Sequence, residues 1–165
     1  MMLPDHITDD LAILFCGTAA GRTSAARGHY YAGPGNRFWA LLAATGLTPR
    51  KLHPDEDHLL PAMGIGLTDL AKDVAGMDKD IPLTAYVPAR LSALVSEWRP
   101  RAVAFTSLNA ARLALGDKAL PAGRLAEDLR WPGVALWALS SPSGANGHFN
   151  AVAWHDLAAW RKGAR

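Results

Sequence analysis

The chain has 165 residues, of which 50% are hydrophobic and 19% charged, and a formal net charge of +2. That size and composition fit a single domain over residues 1–165 with its own core, and exclude general disorder. The lone Cys16 excludes an internal disulfide and a multi-cysteine metal site, no apolar run reaches the ~18–20 residues of a membrane helix, and residues 1–10 lack an export pattern, so a cytoplasmic protein is expected.

In chain order, the first apolar run, 11–16, predicts a buried strand. It leads into Gly17-Thr18-Ala19-Ala20-Gly21-Arg22-Thr23-Ser24. The glycines stand one residue too close for a phosphate-binding P-loop, and Arg22 replaces the required lysine, so nucleotide hydrolysis is not expected. A strand-to-loop turn accounts for the small residues. The same turn offers exposed N–H groups to a polar ring or an anion. Next comes Gly28-His29-Tyr30-Tyr31-Ala32-Gly33-Pro34-Gly35-Asn36-Arg37-Phe38-Trp39. A flat aromatic on a loop beside free amides suits base stacking; covering the core edge is the alternative for either tyrosine. Phe38, Leu41, Leu42 and Thr45 share a helical face that Gly46 ends, and Asn36 stands where that helix's cap belongs.

Residues 65–67 predict a short second strand. Val87, Leu91, Leu94 and Trp98 define a helix, with Pro88 in its first turn and Pro100 beyond its end. A third strand at 102–106, a helix at 108–115 and a fourth strand at 134–139 follow. The last long loop reads Leu139-Ser140-Ser141-Pro142-Ser143-Gly144-Ala145-Asn146-Gly147-His148-Phe149. Ser140 or Ser143 with His148 would suit a hydrolase nucleophile, but neither serine sits in a glycine-flanked elbow. Phe149, Val152, Ala153, Leu157 and Trp160 predict a C-terminal helix. Alternating strands and helices predict a parallel sheet covered on both faces. A ligand would then bind outside the strand ends, at loops beginning at Gly17, Thr68, Ser107 and Ser140. The histidines show no metal-ligand spacing.

Charge is unevenly spread. No acid lies between Asp10 and Asp55, where Arg22, Arg27, Arg37, Arg50 and Lys51 give +5 against −3 for the rest of the chain. A second acid-free stretch, between Asp128 and Asp156, holds Arg130, His148 and His155. These are either ordinary solvated cations or a phosphate-facing side.

Together the segments resemble the uracil-DNA glycosylase superfamily, and most nearly its mismatch-specific uracil and thymine-DNA glycosylase branch. Gly17-Thr18-Ala19-Ala20-Gly21 is similar to that branch's Gly-Ile-Asn-Pro-Gly, and the stretch from Gly28 to Trp39 resembles its second motif. Gly64-Ile65-Gly66-Leu67-Thr68-Asp69 and Trp98-Arg99-Pro100 fall at matching distances, and Pro142-Ser143-Gly144 resembles the loop that enters DNA. The similarity spans about residues 11–160. It implies an α/β fold, a three-layer α/β/α sandwich with a central four-stranded parallel sheet. It further implies a monomeric, monofunctional glycosylase, with no metal and no cofactor, that acts on uracil-containing DNA and leaves abasic-site DNA.

The resemblance also implies roles. Tyr31 would stack on the flipped uracil, and backbone amides around Thr18, with Gly17, Ala19 and Ser140, would meet the base and its departing negative charge. Gly144, Ala145 and Asn146 would enter the space the base leaves, Ser143 of the same loop would contact DNA, and Arg22 and Arg37 would hold phosphates. Two departures stand out. The family's water-orienting asparagine or aspartate is Ala19 here. Either Asn36 takes that role, as in the related hypoxanthine-type branch with its similar Pro-x-Asn-x-Phe-Trp stretch, or the protein binds uracil or abasic DNA without turnover. Ala145 replaces a larger wedge, which predicts weak dependence on the opposing base.

Overall fold

The computed structural model describes residues 2–164. Five strands form one sheet: β1 (Ile13–Ala20), β2 (Ile65–Ala75), β3 (Ala102–Phe105), β4 (Gly123–Leu125) and β5 (Ala135–Ala138), in the order β2-β1-β3-β5-β4. The first three and β5 run parallel, as the apolar runs predict. The count of four is corrected by β4, which pairs antiparallel with the outer edge of β5. This three-residue strand is centred on exposed Arg124, so it has no apolar run of its own, and β5 supplies its pairing.

The helices are α1 (Arg22–Arg27), α2 (Phe38–Ala44), α3 (Pro88–Trp98), α4 (Leu108–Leu115) and α5 (Val152–Gly163). Successive side chains of a strand point to opposite faces. Ile13 and Phe15 therefore join one core with Phe38, Leu41 and Leu42 of α2 and Ala153, Trp154 and Leu157 of α5. Leu14 and Cys16 join the other, with Leu91 and Val95 of α3 and Ala110, Ala111 and Ala114 of α4. The sheet is thus sandwiched between two helical layers. Among the described residues, no helix is long and apolar enough to cross a membrane.

Two strands outrun their apolar patterns. β1 continues from Cys16 to Ala20 because β2 continues beside it, with Gly17 opposite Asp69 and Ala19 opposite Ala71. The register slips between Ala19 and Ala20, and Ala20 then faces Ala75. Residues 17–20 are therefore strand rather than loop, and Thr68 lies inside β2, whose following connection starts at Gly76. From β1 the chain pairs β2 on one side and then returns to place β3 on the other. That reversal leaves a crevice at the carboxyl ends of β1 and β3, where open α/β sheets bind ligands.

Candidate functional site

A cleft of ≈ 650 Å³ occupies that position. β3 ends at Phe105 opposite Cys16, and the Thr106 N–H donates a 3.0 Å bond to the Cys16 carbonyl. β1 runs on, so from Gly17 its β3-side edge borders the cleft instead of another strand. Gly17, Thr18, Ala19 and Ala20 all line it, joined by Tyr31 and Asn36.

Gly17 is required by a close approach. A Cβ there would lie 2.6 Å from Asp69 Oδ1 and 3.2 Å from Thr106 Oγ1. Asp69 is 4% exposed and lines the cleft floor. Burial pushes its carboxyl up to about 6; Lys72, Arg90 and the Gly17 N–H pull the other way, while Asp5 adds to the rise. Thr18, the next residue of β1, donates its hydroxyl to Asp78 Oδ1 at 2.6 Å, and Asn109 Nδ2 donates to Asp78 Oδ2 at 2.8 Å. The Thr18 side chain thus fastens the connection after β2 over the cleft. It leaves backbone as what this position offers a ligand.

The two tyrosines separate. Tyr30 is 2% exposed; its hydroxyl donates to the Pro4 carbonyl at 2.8 Å and accepts from Lys72 Nζ at 2.9 Å. Tyr31 takes a left-handed backbone conformation, φ 53°, which turns it away from its neighbour's course. Its ring stacks on Phe38 at 3.9 Å between centroids, 20° from parallel, and its hydroxyl shares a 3.0 Å bond with Thr106 Oγ1. Burial holds both phenols well above their usual range, so both are neutral.

Asn36 Oδ1 accepts the N–H of Phe38, the first residue of α2, at 2.9 Å. An N–H partner requires the amide oxygen there, which fixes the orientation of the group. The N-cap itself is Arg37, so Asn36 stands one residue before the expected cap and holds the first helical N–H from there; its Nδ2 is the end left to act as a donor.

The rim is made by two loops locked together. The Arg37 N–H donates to the Pro142 carbonyl at 2.8 Å, and Arg37 Nη1 to the Ser143 carbonyl at 2.8 Å. The Arg37 guanidinium also lies 4.8 Å from the Phe149 ring centroid. Gly144 packs so tightly that a Cβ would sit 2.8 Å from the Pro34 carbonyl oxygen and 3.1 Å from the Gly35 carbonyl carbon. Ser143, Gly144, Ala145 and Asn146 line the cleft mouth, and exposed Arg22 lies at its edge. Ser140 does not line the cleft. Its hydroxyl accepts from the Asn150 N–H at 3.1 Å and its carbonyl from Trp154 Nε1 at 2.9 Å, so it holds the loop to α5. Arg37 does not line the cleft either; it ties its own loop to the loop after β5.

Asp69, Thr106, Asp78, Met77 and Lys79 also line the cleft without having been assigned a role from sequence. Asp69 closes a motif that the sequence singles out, but its place opposite Gly17 follows only from the extended pairing of β1 and β2. The 76–80 connection carries no motif. Among the described residues, no group of three or more His, Cys, Asp or Glu side chains is placed to hold a metal.

An aromatic ring, an amide and an open backbone edge thus meet at the crevice of a three-layer sandwich. The model of the Uracil DNA glycosylase superfamily matches residues 4–162, and the chain belongs to that superfamily. The fold is shared with a candidate uracil DNA glycosylase from Methanosarcina acetivorans, solved by solution NMR. The match has a TM-score of 0.70 and 22% identity and covers 98% of this chain and 95% of that one.

Proposed function

We propose that the protein is a monofunctional glycosylase that hydrolyses the bond between uracil and deoxyribose in DNA. The observation that carries this reading is the meeting, in one cleft, of the free edge of β1 with Tyr31 and Asn36. A base inside a duplex cannot reach such a cleft, so the nucleotide must flip out. Phe38 covers one face of Tyr31, so the uracil would stack on the other. As the N-glycosidic bond breaks, its electron pair moves onto the base. The backbone N–H of Thr18, on the free edge of β1, and the Asn36 Nδ2 donor would stabilise the charge that develops. Water then forms the new bond at the sugar carbon, through an oxocarbenium-like state, and leaves an abasic site.

The water needs an acceptor. Ala19 and Ala20 have none, and Asn36 Oδ1 already accepts from Phe38 but keeps a second lone pair. That partial engagement favours a second reading, a protein that binds uracil or abasic DNA without cleaving it. A uracil-containing oligonucleotide, single- or double-stranded, incubated with the protein and then treated with alkali separates the two. Strand scission at the uracil supports the glycosylase. Retention of the intact strand in a stable complex supports the binder.

A further inference from the structure

We propose that Asp69, as a neutral carboxylic acid, donates a hydrogen bond to a carbonyl of the base held in the cleft, so that base binding depends on one proton. The inference rests on the base-binding reading above and extends it to a residue with no assigned role.

The geometry comes first. The Asp69 carboxyl, the Thr106 hydroxyl and the Tyr31 hydroxyl converge on the space that a Gly17 side chain would fill, at 2.6, 3.2 and 3.5 Å from its ideal Cβ. Thr106 and Tyr31 bond to each other. The carboxyl is the remaining titratable group on the cleft floor.

The cations near Asp69 are committed elsewhere. Lys72 of β2 pairs with Asp5 at 3.0 Å and donates to the Tyr30 hydroxyl. Arg90 of α3 pairs with Asp5 at 2.6 Å, and also donates to Thr68 Oγ1 and to the Asp69 main-chain carbonyl. Asp5, on the N-terminal segment, thus holds both cations and adds its own negative potential. On β1 the Cys16 thiol is kept neutral by burial, as are the phenols of Tyr30 and Tyr31. On the far side of Thr18, Asp78 is bonded to Thr18 and Asn109. A carboxyl so enclosed takes up its proton at about pH 6, within reach of ordinary conditions.

The two protonation states are opposites for a uracil. Its polar edge alternates carbonyl, N–H, carbonyl. An ionised carboxylate repels either carbonyl, and repels the departing anionic base still more. A neutral carboxyl donates to a carbonyl while its other oxygen accepts from the N–H. An asparagine at this position would offer the same pair of groups at every pH; aspartate makes the interaction conditional.

Binding of free uracil to the full chain, followed by calorimetry at pH 5 and pH 7.5, tests this. If only the protonated form binds, wild-type affinity falls about 30-fold across that interval, and binding at pH 7.5 takes up a proton, read from two buffers of different ionisation enthalpy. Asp69→Asn binds with the same affinity at both pH values. Equal or tighter wild-type binding at pH 7.5, no proton uptake, or an Asp69→Asn slope like the wild type's overturns the proposal, as does failure to bind uracil at either pH. The proton uptake is read on the wild type alone, so it stands even if the variant folds poorly. Proton-linked uracil binding without scission of uracil-DNA removes the glycosylase reading and keeps this one. Scission with pH-independent uracil binding does the reverse.

Discussion

Tyr30 and Tyr31 are neighbours in the chain, yet each has its own task. Tyr30 fills the core and bridges Pro4 and Lys72, so Tyr30→Ala opens a cavity beside a buried ammonium and costs ~3–5 kcal/mol of stability. Tyr31 stands at the cleft with one face on Phe38. Tyr31→Ala is expected to leave the fold largely intact and to lower single-turnover uracil excision by the worth of one base stack, ~1–3 kcal/mol. Melting curves and excision rates for both variants check this. A larger rate loss per unit of stability for Tyr30→Ala would reverse the assignment. Asn36 is separated by chemistry in the same way. Asn36→Asp keeps an oxygen that accepts the Phe38 N–H at the start of α2, much as aspartate replaces asparagine at helix starts, but loses the Nδ2 donor. Asn36→Ala loses both, at ~0.5–2 kcal/mol of stability. If Asn36 serves the reaction, Asn36→Ala assayed well below its melting temperature loses at least ~100-fold in rate, while uracil-DNA binding falls less. If it is a cap alone, Asn36→Asp excises like the wild type and Asn36→Ala only melts earlier.

At the scale of elements, the apolar runs announce the four parallel strands, and helical periodicity announces α2, α3, α4 and α5, because each buries a face that its own residues must supply. What stays hidden is borrowed from partners. Gly-Thr-Ala-Ala has little strand preference, yet it is strand because β2 lies alongside. β4 exists through β5, and α1, six residues long with only Ser24 buried, has no apolar face to announce it. The site is legible to the same degree. The aromatic, the amide and the glycine loop carry motifs. Asp69 and Asp78 reach the cleft through register and a long connection, which no local pattern encodes. The docking of the two rim loops gives an element-scale prediction. At Gly144 a methyl would press on main-chain atoms of Pro34 and Gly35, which cannot swing aside. Gly144→Ala is expected to cost ~1–3 kcal/mol of stability and to weaken uracil-DNA binding as the rim loop shifts. Gly147→Ala, with nothing near its would-be Cβ, is the matched control within ~0.5 kcal/mol. Equal behaviour of the two variants would mean that the rim contact does not position the loop.

For the whole molecule, the distribution of basic charge changes meaning once partners are known. Of the cations in the acid-free stretches, Arg50 is paired with Glu56 at 2.6 Å and Arg130 with Asp128 at 2.8 Å. Arg37 is bound to the Ser143 carbonyl. Arg22 and Lys79 are exposed at the cleft, and neither makes an ion pair among the described residues. A phosphate-contacting cation releases a condensed counterion, so affinity falls with salt by about 0.9 log units per log unit for each contact on duplex DNA. Uracil-DNA affinity is therefore expected to fall steeply between 50 and 200 mM salt. Arg22→Ala and Lys79→Ala should each weaken binding and reduce the salt slope by about 1. Arg37→Ala should weaken binding through the loosened rim loop, with a smaller change in slope. Arg50→Ala should leave slope and affinity near the wild type, because Glu56 already satisfies that guanidinium. Gel shifts over a salt series for the four variants check the pattern. Salt-insensitive binding, or a slope change at Arg50 equal to that at Arg22, would put the DNA backbone somewhere other than this cleft's rim.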